Sequence, residues 1–116
     1  MTVEDFRRIA LSMPGASESA HMGHPDFRVA GKIFATVCYP NEQWGMVKLT
    51  PEQQHEFTTT CPASFKPVPG GWGRQGSTSV QLETVNEQQM RAAVLSAWRA
   101  ATAKKAAKQA PKKRSA

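Results

Sequence analysis

Cations, histidines and tryptophans are the residues of this chain with chemistry to offer. His21 and His24 are separated by two residues, and Asp26 follows. Two imidazoles with a carboxylate beside them form a candidate divalent-metal set. Gly23 and Pro25 lie within it, however, and the residue before a proline is driven to extended backbone, so the donors are not preset on a helix face. A histidine bonded to the backbone and anchoring a loop is the plainer reading, and no metal is assigned. Arg28, Lys32, Lys48 and Arg74, with Trp44 and Trp72, suit a different chemistry. Cations neutralise phosphates and indole rings stack on exposed bases. The bland alternative is solvated strand residues, with tryptophans closing the edge of a core.

Other chemistries find less support. Gly70 to Gly76 is glycine-rich and could seat a phosphate among its amides, but a tight connection needing positive φ is the simpler expectation. Cys38 and Cys61 have no CxxC partner and match no disulfide or zinc framework, so they read as small buried hydrophobes in a reducing cytoplasm. No Walker loop or nucleophile–base arrangement is present. The chain is therefore expected to be no enzyme and to need no cofactor.

Charge is unevenly placed. The 116 residues hold 15 Lys and Arg against 9 Asp and Glu, a net charge of +6. Lys104, Lys105, Lys108, Lys112, Lys113 and Arg114 supply six of those cations in a stretch with no acid. Removing them leaves nine against nine, so residues 1–103 are formally neutral. A basic run of this density attracts polyanions in any conformation. If all six cations meet phosphates, log K should fall with log salt at a slope of about −5. The run lacks the large apolar residues of an interfacial helix, which argues against a membrane surface. No apolar stretch nears the ~20 residues of a spanning helix. The N-terminal segment reads as an acidic amphipathic start, neither signal nor transit peptide.

These groups need elements to position them. Thr2 with Asp5 resembles a capping box, followed by Val3, Phe6, Ile9, Ala10 and Met13 at helical spacing up to Pro14-Gly15. Ala16 to Pro25 reads as a polar loop. Phe27 to Cys38 reads as a hairpin around Ala30-Gly31. Alanine resists positive φ, so a three-residue loop with a bulge at Gly31 is expected, pairing Arg28 with Lys32 and Phe27 with Ile33. That register puts Phe27, Ile33, Ala35 and Val37 on one face and Arg28, Lys32, Phe34 and Thr36 on the other. Trp44 to Leu49 is a third strand, with Val47 and Leu49 inward. Thr50-Pro51-Glu52-Gln53 opens a second helix, to about Thr59. Pro62 to Gly71 is expected to be an irregular loop, and Trp72 to Arg74 the start of a strand. Thr78 to Val85 alternates as a strand. Asn86 and Gln89 cap a last helix with Met90, Ala93, Val94, Ala97, Trp98 and Ala101 as its stripe. Ala and Lys beyond it are helix formers, and disorder is expected after Pro111. Strands grouped between helices indicate an α+β fold, an antiparallel sheet with helices on one face.

Three blocks carry a resemblance. His21-Met-Gly-His-Pro-Asp-Phe-Arg-Val-Ala-Gly-Lys-Ile-Phe-Ala, Trp44-Gly-Met-Val-Lys-Leu-Thr-Pro-Glu-Gln, and Pro67-Val-Pro with Gly71-Trp-Gly-Arg-Gln-Gly resemble the MmcQ/YjbR family over about residues 2–103. The resemblance implies a CyaY-like α+β sandwich, with a sheet likened to a double wing and a family label of DNA binding that rests on fold analogy. It implies no catalytic residue. Iron delivery, as in frataxin-like folds, is not expected, because Glu4 and Asp5 stand beside Arg7 and Arg8 and form no acidic ridge.

Taken together, the expectation is a single cytoplasmic domain over 1–103 with a flexible basic tail over 104–116, monomeric and binding nucleic acid, DNA foremost. Arg28, Lys32, Lys48, Trp72 and Arg74 would be the docking surface and the six tail cations the source of affinity. The alternative is a ligand- or protein-binding module built from His21, His24, Asp26, Trp44, Trp72 and Arg74.

Overall fold

The computed structural model describes residues 1–21, 23–38 and 41–109, with the backbone alone at residue 21 and over 104–109. The element order is α1 (Val3–Leu11), β1 (Ser17–His21), β2 (His24–Val29), β3 (Lys32–Val37), β4 (Trp44–Lys48), α2 (Pro51–Thr60), β5 (Phe65–Pro67), α3 (Gly71–Arg74), β6 (Ser77–Gln81) and α4 (Glu87–Gln109). Every strand pairing is antiparallel, in one six-stranded sheet of order β1-β2-β3-β4-β6-β5. The fold is α+β.

Local chemistry sets the long helices. Asp5 N–H donates to the Thr2 hydroxyl, and the Asp5 carboxylate accepts from Thr2 N–H, closing the box that starts α1. Thr50 and Gln53 repeat it on α2, with Pro51 supplying a preset φ at the first turn. Asn86 and Gln89 bond reciprocally at the head of α4. The α4 stripe Met90, Ala93, Val94, Ala97 and Ala101 is buried. It meets β2, β3 and β4, while α1 lies against α4 and β3. Phe6, Phe27, Phe34 and Phe65 are fully buried in the resulting core, each contributing about 2 kcal/mol of transfer free energy. Phe6 sits directly over Gly45, where a Cβ would come within 2.6 Å of its ring. Trp98 closes the core edge, its indole N–H donating to the Pro14 carbonyl at 2.9 Å.

Four expectations are corrected. The stretch read as a polar loop from Ala16 contains β1 and the start of β2. Its residues are polar because β1 is an exposed edge strand, which needs no apolar face of its own. Pro62 to Gly71 contains β5, a three-residue edge strand ending at Pro67, as proline tolerates only an edge. Trp72 to Arg74 is helix α3, not a strand. The hairpin turn is the two-residue kind. Ala30 and Gly31 both take positive φ, 54° and 77°, because that turn alone follows the right-handed twist of the strands. Val29 therefore pairs with Lys32, Arg28 with Ile33 and Phe27 with Ala35. The irregularity expected at Gly31 moves between Phe27 and Arg28, which lets Phe34 enter the core.

The boundary expected at residue 103 falls inside α4, which takes in Lys104, Lys105 and Lys108 and runs to Gln109. Lys112, Lys113, Arg114 and the expected disorder beyond Pro111 lie outside the described residues.

Candidate nucleic-acid interface

The sheet has a second face, opposite the one that carries Phe27, Ala35, Val47 and Val80. The pairings run one row over it: Ser19, Asp26, Thr36, Met46, Ser79 and Lys66. Asp26 is fully buried there, Thr36 is 2% exposed and Met46 is 4% exposed. Arg28 holds Asp26 with two bonds, Nε to Oδ1 at 2.8 Å and Nη2 to Oδ2 at 3.1 Å. The pair raises the guanidinium's pKa further and cancels the one buried carboxylate of the row.

At the hairpin end of the sheet lies a groove. Arg28, Lys32, Lys48, Trp72 and Arg74 all line it, with Leu49, Thr50 and Pro51 on one wall and Ala100 and Ala101 of α4 on another. No carboxylate is among its lining residues. The sequence separates these groups widely, and the fold gathers them for four reasons. Alternation on β4 turns Lys48 away from the core-facing Val47. The bulge sets Arg28 beside Ile33. The hairpin turn leaves Lys32 exposed at the start of β3, opposite Val29. Helix α3 delivers Trp72 and Arg74. Lys48 Nζ lies 5.5 Å from the Trp72 ring centroid, a cation–π contact.

Helix α3 is held tightly. A Cβ on Gly73 would fall 1.6 Å from the Val68 carbonyl oxygen, and one on Gly76, at φ +116°, would fall 1.9 Å from that of Leu49. The Gln54 side-chain amide donates to the carbonyls of Gly73 and Ser77, both at 2.9 Å. The glycine-rich stretch is thus a close backbone crossing, as the simpler expectation had it.

Among the described residues of the alternative module, Trp72 and Arg74 come together while His24 stands apart. His24 donates through Nδ1–H to the Cys38 carbonyl, 2.8 Å away, and lines a separate shallow depression with Cys38 and Asn41 to Gln43. Backbone pairing sets residue 21 opposite His24, but the His21 side chain lies outside the described atoms. Trp72 and Arg74 belong to the groove instead. Among the described residues no group of three His, Cys, Asp or Glu is placed to hold a metal ion. Cys61 Sγ accepts from the Gln89 amide at 3.4 Å.

Lys66 is a site residue that the sequence does not point to. Its ammonium lies 5.7 Å from the Trp44 ring centroid, a second lysine–tryptophan pair. Lys66 and Trp44 share the face of Met46 and Lys48 by strand alternation. The signal was hidden because β5 is only three residues long and flanked by prolines.

Comparison with known proteins adds the family and the fold. No curated protein matches the chain. A crystal structure of the Deinococcus radiodurans protein DR2400, with the family-model domain DUF419, superposes with a TM-score of 0.68 at 19% identity, covering 84% of this chain and 75% of that one. At that identity the likeness is one of fold. The YjbR family model matches residues 11–100, a span that holds every groove residue but Ala101 and ends before Lys104, and this chain therefore belongs to the YjbR family.

Proposed function

We propose that this protein binds DNA, without strong sequence preference, through the groove beside α3. One observation carries the reading: Arg28, Lys32, Lys48, Arg74 and the exposed Trp72 line a single groove that has no carboxylate among its lining residues. Concentrated positive charge beside an accessible aromatic ring is the footprint of phosphate and base contact. Helix α4 supports the reading further, because it forms one wall and then continues into the basic run. In sequence, Lys104, Lys105 and Lys108 follow Ala101 at intervals of three, four and seven, the spacing of one helical face.

The role is binding rather than catalysis. Among the described residues, the displaced titrations at Asp5, Arg7, Arg8, Arg28 and Glu87 all arise from ion pairs or a helix cap, which favours structural over chemical work. The thiols of Cys38 and Cys61 are free, which suits a reducing compartment. No helix among the described residues is long and apolar enough to cross a membrane.

The test compares the full chain with a Lys32→Gln, Lys48→Gln, Arg74→Gln variant. Each is titrated at several salt concentrations against a duplex that carries a single-stranded overhang. Each phosphate contact contributes about 0.9 to the salt slope, so the variant's slope should be shallower by roughly 2.7. Arg28 is left in place because it neutralises Asp26. Equal slopes and equal affinities would remove the groove from the function.

A further inference from the structure

Trp72 is an unusual residue to leave in water. It is 60% exposed, and among the described residues the only other exposed large hydrophobic is Leu11, at 40%. Its exposure is not that of a loose loop tip. The Gly73 backbone presses on Val68, and Gln54 ties the Gly73 carbonyl down, so the indole is presented from a fixed backbone. Lys48 sits over one side of the ring system at 5.5 Å, and the exposure leaves area for a second flat partner. Lys32, Lys48 and Arg74 line the same groove.

We infer that the groove takes single-stranded nucleic acid, an unpaired base stacking on Trp72 while Lys32, Lys48 and Arg74 hold the flanking phosphates. This rests on the nucleic-acid reading above and narrows it. In a duplex each base is stacked within the helix and has no face to offer a tryptophan, so only the cations would engage. An unpaired strand uses both halves of the site, since every base has a π-face and stacking tolerates any sequence. The second pair, Lys66 over Trp44 at 5.7 Å, provides the same combination at the other end of β4. The shared chemistry is a phosphodiester strand with unpaired bases, from either DNA or RNA.

The experiment titrates the full chain with a twelve-mer of oligothymidylate, the matching oligouridylate and a twelve-base-pair duplex. The Trp72→Ala and Trp72→Phe variants are measured beside it, with thermal melts confirming that each is folded. One or both single strands should bind more tightly than the duplex, and whichever binds better identifies the sugar. Trp72→Ala should weaken single-strand binding by about 5- to 150-fold, the effect of one lost stacked base, and weaken duplex binding less. Trp72→Phe should recover most of the loss. A duplex bound as tightly as both single strands, or Trp72→Ala binding single strands like the parent, overturns the inference and leaves the groove as a duplex or phosphate site. Binding to none of the three overturns both this inference and the DNA reading beneath it.

Discussion

An alanine at Gly73 should damage the groove without touching a single charge. Its Cβ would lie 1.6 Å from the Val68 carbonyl oxygen and 2.8 Å from the Val68 carbonyl carbon. Real contacts essentially never fall below 3.0 Å, so α3 and the backbone at Val68 must separate by more than an ångström. The obstacle is backbone, which cannot swing aside as a side chain does. Overpacking of this kind costs about 1–3 kcal/mol. Two hydrogen bonds are stretched with it, Gln54 Nε2 to the Gly73 carbonyl at 2.9 Å and Val68 N–H to the Ser77 carbonyl at 3.0 Å, at about 1 kcal/mol each. A loss of about 3 kcal/mol is expected, read as a shift of the urea midpoint at unchanged m-value. Gly71→Ala is the control. Its Cβ would meet only Arg74 Nη2, at an ordinary 3.7 Å, so it should be neutral or slightly stabilising. Because Gly73 stands between Trp72 and Arg74, the Gly73→Ala protein should also bind DNA more weakly while still folded, and Gly71→Ala should not. If the two alanines differ by less than about 0.5 kcal/mol, the close crossing does not position the groove.

Three further outcomes are expected. Ala30→Gly should stabilise the fold by about 0.5–1 kcal/mol in urea unfolding, since an L-residue at φ 54° bears a left-handed penalty of roughly 1–2 kcal/mol that glycine escapes at some entropic cost. Bonds from the backbone and hydroxyl of Thr2, then from Arg8, hold the Asp5 carboxyl below its ordinary 3.8. Its contribution is complete above 3.8 and is lost as pH falls through the lower folded value, so acid titration should shrink the stability gap between the parent and Asp5→Asn. Arg28→Met should cost more stability than Lys32→Gln, by about 1–3 kcal/mol in urea unfolding, because only Arg28 carries a bidentate bond to a fully buried carboxylate.

Much of the fold was legible, for identifiable reasons. Helices α1, α2 and α4 announce themselves through reciprocal caps whose partners stand three residues apart, a local signal that tertiary contacts reinforce. Strand β4 was legible because its alternation is clean. Strand β1 was not, since Ser17, Glu18, Ser19 and Ala20 are all exposed and so carry no hydrophobic period. The hairpin turn was misread because alanine's dislike of positive φ is worth about 1–2 kcal/mol, less than the strand pairing it permits. The cations of the groove were identifiable by type, but their meeting depends on a bulge, a turn and a four-residue helix. None of these leaves a periodic trace. Lys66 was lost for the same reason.

The two edges of the sheet are unlike. Strand β5 is three residues long and ends in Pro67, with Pro69 just beyond, so it offers almost no ladder to an arriving strand. Strand β1 has five residues, pairs among the described residues with β2 alone, and has no proline or lysine to guard its outer side. Any growth by strand addition would therefore be one-sided. Two copies meeting β1 to β1 would each present β5 outward and stop there, whereas a sheet with two receptive edges could add copies without limit. The prolines that obscured β5 in the sequence thus also blunt that edge of the sheet.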